Sequence, residues 1–114
     1  MILPNADSLI VAEEKVVNYL LNPEHPDGAP KAQFFRMLGF ETEQWKIPAT
    51  GLRDVGRSSP VVRDVSSPHG HKYIVDGELV GPNGTVAWVR TVWIIDRGEQ
   101  TPRLVTAYPA KRSH

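Results

Sequence analysis

The run Thr85–Ile95 constrains this chain more than any other stretch: eleven residues, rich in β-branched and aromatic side chains and apolar on both alternating faces. One face carries Val86, Trp88, Val92 and Ile94, the other Ala87, Val89, Trp93 and Ile95. Such a strand belongs inside a sheet, with material on both sides. It is preceded by Gly81-Pro-Asn-Gly84, whose Asn-Gly pair is a strong hairpin signal. It is followed by a second turn, Asp96 to Pro102. Lys72–Val80 alternates, with Tyr73, Val75 and Leu79 on one face and Lys72, Ile74, Asp76 and Glu78 on the other. Val61–Val65 and Arg103–Tyr108 complete four strands, expected to form an antiparallel meander.

The first half reads differently. Leu3–Ile10 is expected to be irregular or a short edge strand. Ala12–Leu21 places Val16, Val17, Leu20 and Leu21 at helical spacing, and Asn22-Pro23 ends it. A loop to Gly28 follows. Pro30 suits a helix start and Gly39 the position just past a helix end. Between them Phe34, Phe35 and Leu38 form a buried face, and Lys31 falls in the first turn, a suitable place to meet an anion. Residues 42–55 are interrupted by Pro48 and Gly51, which predicts a broken helix with Trp45, Leu52 and Val55 inward and a loop over 56–59. The class is α+β: N-terminal helices, about 12–55, packed on one face of a four-stranded antiparallel β-meander, about 60–108, in a single domain spanning 1–114. Pro109–His114 is expected to fray.

Composition narrows function. Thirteen Lys/Arg balance thirteen Asp/Glu, which argues against binding nucleic acid by bulk charge alone. Residues 1–57 carry a net −2 and residues 58–114 a net +2. There is no cysteine, so thiol chemistry and Cys-based zinc sites are excluded. No apolar run is long enough for a membrane span and no signal peptide is visible, so a cytoplasmic location is expected. No phosphate-binding Gly loop, HExxH or GxSxG motif occurs. His69 and His71 form a His-x-His pair, too few ligands for a metal site by themselves, and no cofactor is expected.

Arg90 is the anomaly, a charge in an apolar row. It is either a salt-bridge partner of Asp76, Glu78 or a helix carboxylate, or a fork for a phosphate or carboxylate. Thr106 and Tyr108 share a face of the last strand; there they read as ordinary strand residues or as hydrogen-bond donors near Arg90. His25 lies in the loop leading to Lys31, and His71 begins a strand.

Leu3-Pro-Asn-Ala6, Tyr19-Leu-Leu-Asn-Pro-Glu-His-Pro-Asp-Gly28, Lys31-Ala-Gln-Phe-Phe-Arg-Met-Leu-Gly-Phe40, Gly81-Pro-Asn-Gly84, Val89-Arg-Thr-Val-Trp93 and Pro102–Pro109 together resemble a bacterial family of unknown function, found alone or at the C-terminus of larger secreted proteins. The His-Pro-x-Gly-x-x-Lys element before a four-stranded meander is also similar to toxin domains of contact-dependent inhibition proteins, in the barnase–EndoU–colicin–RelE-like group of metal-independent ribonucleases. That resemblance implies a site of Lys31, His25, Arg90, Thr91, Thr106 and Tyr108, with His71 as a further candidate. The implied activity is endoribonuclease cleavage by 2′-hydroxyl attack, giving a 2′,3′-cyclic phosphate without a metal. Its implied partners are an RNA substrate and a cognate antitoxin or immunity protein. Ala12, where a capping Asp is expected, and Pro48 depart from the pattern. The alternatives are a non-catalytic protein-binding domain of a toxin–antitoxin or toxin–immunity system and a purely structural module.

Overall fold

The computed structural model describes residues 1–111. Three helical segments precede four strands: α1 (Glu13–Lys15, continued by a π turn over Val16–Leu20), α2 (Ala29–Met37), α3 (Lys46–Ser58), then β1 (Val61–Ser67), β2 (Gly70–Val80), β3 (Val86–Asp96) and β4 (Arg103–Pro109). The sheet is antiparallel throughout, in the order β1-β2-β3-β4, so β3 is an interior strand. The meander and its turns lie where the alternation places them.

The helices cover one face. Val75, Leu79, Val89, Thr91, Trp93, Leu104 and Ala107 project from the sheet into a core shared with Val16, Leu20, Leu21, Phe35, Leu52 and Val55. The other alternation of β2 and β3, including Ile74, Asp76, Trp88, Arg90 and Val92, is half-buried, and among the described residues it carries no helix.

Two expectations about the helices are corrected. Residues 42–55 do not form a broken helix: a 3-10 turn, Thr42–Gln44, leads into thirteen unbroken helical residues. Pro48 is the third of these, inside the first turn, where backbone N–H groups have no intrahelical acceptor and nothing is lost. Residues 56–58 are helix and not loop, because Gly56 lies where Leu9 and Trp93 press against the backbone; an added Cβ would meet each at 2.7 Å. In α1 the first regular turn is brief. Ala12 offers no side-chain cap, and the chain widens into the π turn closed by the Leu21 N–H on the Val16 carbonyl at 2.9 Å.

The N-terminal segment closes one sheet edge. Ile10 forms a parallel bridge with Arg103, receiving the Leu104 N–H at 2.9 Å and donating to the Pro102 carbonyl at 3.0 Å. The predicted fraying of the tail is corrected in part: the Ala110 N–H bonds the Trp88 carbonyl at 3.0 Å. Residues 112–114, including His114, lie outside the described residues. Among the described residues no helix is long and apolar enough to cross a membrane.

Candidate functional site

The π turn sets Tyr19 against β4. Its phenol shares a hydrogen bond with the Thr106 hydroxyl at 3.0 Å, either group donating. Thr106 sits beside an irregularity in the β3–β4 ladder: Val92 faces Thr106 and Trp93 faces Leu104, so Val105 has no opposite residue. The extra residue bends the edge strand locally, a common way of re-aiming side chains beside a site.

Around the Tyr19 ring stand two ammonium groups and one imidazole. Lys15 Nζ lies 5.1 Å and Lys31 Nζ 5.2 Å from the ring centroid, and the His25 ring meets Tyr19 edge-on at 5.0 Å. Lys31 also donates to the Asp27 carbonyl at 3.0 Å. His25 Nδ1 accepts from the Asp27 and Gly28 amides at 3.0 and 3.1 Å, which fixes the loop entering α2. With Nδ1 accepting, the neutral ring carries its proton on Nε2. Pro30, Lys31, Tyr108 and Pro109 line an open cleft of about 430 Å³ beside this group.

Burial raises the Tyr19 phenol pKa, but the Thr106 hydrogen bond and the Lys31 and Lys15 charges outweigh it and hold it below the ordinary phenol value. Tyr73, buried beside the Asp64 carboxylate, is pushed the other way. In an ultraviolet pH titration Tyr19 is therefore expected to ionise before Tyr73, with Tyr19→Phe abolishing the early step. The signs for stability oppose one another. Tyr19 adds stability as pH rises from its folded value to the ordinary phenol value of about 10, whereas Tyr73 withdraws it from about 10 upward to its own raised value. An early step retained in Tyr19→Phe would refute the assignment.

Of the residues singled out from the sequence, Lys31, His25 and Thr106 meet around Tyr19, and Tyr108 shares a cleft with Lys31. Arg90 is opposite Tyr108 in the ladder, on the uncovered face. Its Nε and Nη2 donate to the two Asp76 carboxylate oxygens at 2.8 and 2.9 Å. Asp76 holds the guanidinium pKa well above its ordinary range, burial opposing and Tyr108 adding. Asp76→Ala is expected to cost about 1–2 kcal/mol in urea unfolding, between surface and fully buried pairs, because Arg90 is 38% exposed and Asp76 only 10%. A cost near zero would make the pair a mere surface contact.

Thr91 is fully buried, donating to the Val75 carbonyl at 2.8 Å and accepting from Trp93 Nε1 at 2.8 Å. His71 stands apart: it pairs with Asp64 at 2.8 Å and packs on Tyr73. It faces Ile95, five residues along β3 from Arg90, or about 16 Å at the strand rise. A second cleft, of about 640 Å³, includes Asp54, Asp76, Glu78 and Trp88; its carboxylates do not suit an anion. Among the described residues no three His, Asp or Glu side chains are grouped to hold a metal.

Residues 2–111 match the pattern of a domain of unknown function, DUF6883. The chain belongs to that family. No curated protein sequence matches it. Among solved structures, this DUF6883 domain is similar to a chain of a contact-dependent growth inhibition toxin–immunity protein complex from Klebsiella pneumoniae 342, with a TM-score of 0.74 and 17% identity over 94% of this chain and 97% of that one. At that identity the likeness establishes a shared fold, in line with the resemblance read from the sequence.

Tyr19 and Lys15 are the residues of this DUF6883 cluster that sequence reasoning missed. Both lie in a run that reads as an amphipathic helix with its apolar stripe elsewhere. The available signal was their spacing: a Lys four residues before a Tyr on a helical segment sets a cation beside a ring.

Proposed function

We propose that this chain is one member of a bacterial toxin–immunity pair, acting in the cytoplasm by binding a cognate protein. The observation that carries the reading is the likeness, over nearly the whole of both chains, to a chain of a toxin–immunity complex. The sheet face opposite the helices supplies a surface for it: Ile74, Val92 and Tyr108 around the neutralised Arg90–Asp76 pair. Arg63 and Lys72 stand on the same face without a carboxylate partner among the described residues, which suits an acidic partner surface.

Because a toxin must be inherited with its inhibitor, the partner to try is the product of the adjacent reading frame. The two chains should co-purify as a complex, and growth of the host should depend on which is expressed alone. Arrest by this chain, relieved by its neighbour, makes it the toxin; the reverse makes it the inhibitor. No complex and no growth effect in either arrangement defeats the reading.

A second reading, metal-independent endoribonuclease, is favoured by one observation: Lys31, His25 and Thr106 converge on Tyr19, next to Tyr108. His25 would donate its Nε2–H to a phosphate oxygen, Lys31 would stabilise the charge there, and water would carry the 2′-hydroxyl proton to the leaving 5′-oxygen. Arg90 and His71, committed to Asp76 and Asp64, take structural parts. Cleavage of total RNA by the wild-type protein in EDTA, lost in Lys31→Ala and retained in His71→Ala, would support it. Intact RNA with folded protein, with and without divalent metal, removes it and leaves the partner-binding reading standing.

A further inference from the structure

Lys15 comes from α1 and Lys31 from α2, yet both ammonium groups reach one phenol ring. Their distances to the ring centroid put the two charges no more than about 10 Å apart, comparable with the screening length of about 8 Å at physiological salt. Among the described residues neither has a carboxylate within salt-bridge distance, whereas Arg57, Arg90 and Arg103 each do. Two like charges gathered around a half-buried ring repel, and an anion between them removes that cost. Hydroxyl groups stand beside both lysines: Tyr19, bonded to Thr106, at the ring they share, and Tyr108 in the cleft it lines with Lys31.

We infer that Lys15, Lys31, Tyr19 and Tyr108 form a binding site for a phosphate group. A phosphate fits better than a carboxylate. It offers more acceptor oxygens, which several hydroxyls can meet, and lysine serves it as a point charge, while planar carboxylates are best met by an arginine fork. The fork opposite Tyr108, that of Arg90, is already closed on Asp76. The π turn that carries Tyr19 is itself a rare conformation, frequent at functional sites. It sets the phenol within reach of β4 while Lys15, four residues earlier, stays at its ring.

The site does not depend on the partner-binding reading. It shares Lys31, Tyr19 and Tyr108 with the cleavage reading, so the test records binding: a bound but uncut oligonucleotide leaves this proposal intact and defeats cleavage. The full chain is titrated separately with inorganic phosphate and with hexauridylate, following backbone amide shifts by nuclear magnetic resonance. Shifts are expected to centre on Lys15, Tyr19, Lys31 and Tyr108 and to weaken at raised sodium chloride. A response to inorganic phosphate identifies a site for the free group; a response to hexauridylate alone identifies a phosphodiester site, and either supports the proposal. The Lys15→Ala/Lys31→Ala double variant should bind at least about tenfold more weakly with its melting temperature unchanged, and Lys46→Ala, at an exposed position of α3, should bind normally. If the double variant fails to fold, Lys15→Gln and Lys31→Gln are measured singly. No shift with either probe, shifts centred on Arg63 and Lys72, or undiminished binding by the folded lysine variants overturns it.

Discussion

Trp93→Ala is expected to lower the unfolding free energy by about 3–5 kcal/mol, a large part of the roughly 5–15 kcal/mol a domain commonly has. Trp93 is the largest of the fully buried side chains, seated between β3 and α3 with Gly56 pressed on its six-membered ring. Its Nε1–H donates to the Thr91 hydroxyl, and that hydroxyl donates onward to the Val75 carbonyl of β2. Alanine therefore leaves a cavity and strips Thr91 of its donor, and the α3 backbone cannot collapse far into the space. Trp93→Phe separates the two effects. It keeps most of the volume and should cost about 1–2 kcal/mol through the lost hydrogen bond and an imperfect fill. Urea titrations followed by far-ultraviolet circular dichroism measure both. A Trp93→Ala loss under about 1 kcal/mol would mean that the helix–sheet core is not packed around this residue.

How far the sequence speaks can be read at three places. The strands were legible because period-two alternation is a direct image of burial: Tyr73, Val75 and Leu79 face the helices as the pattern requires. The unbroken α3 is not legible from propensity, because Pro48 is tolerated by its position in the first turn, and Gly51 and Gly56 by the close approach of Leu79, Leu9 and Trp93. Strand pairing was legible but face and register were less so. Arg90 and Thr106 do lie on neighbouring strands, yet the irregularity at Val92/Trp93 sets Arg90 against Tyr108 and Thr106 against Val92. The candidate site was legible in proportion to its loop chemistry. His25 and Lys31 stood out, whereas Tyr19 is joined to β4 by a contact spanning 87 positions in the chain, which no local pattern shows. Arg90 drew notice as a charge in an apolar row, but the same register that makes it conspicuous sets Asp76 directly opposite.

Gly81→Ala is expected to cost about 3 kcal/mol, at the upper end for forced overpacking. The turn joining β2 to β3 sits on the C-terminal end of α2: Asn83 donates from its backbone to the Leu38 carbonyl at 3.4 Å and from Nδ2 to the Met37 carbonyl at 3.0 Å. A Cβ on Gly81 would overlap the Leu38 carbonyl oxygen and lie 2.7 Å from Leu38 Cβ. The obstacle is mainly backbone, which cannot swing aside as a side-chain tip can. Relief would require the turn to lift, breaking both Asn83 contacts and exposing Leu38, which is 3% exposed. Gly84→Ala is the control. Gly84 has a positive φ of 85° but nothing within 4 Å of an added Cβ, so its cost is conformational alone, about 1 kcal/mol. Thermal or urea unfolding of the two variants should thus separate by about 2 kcal/mol with Gly81 the worse. Equal losses would mean that the turn is free to move off α2, and that helix and hairpin are not coupled through Leu38.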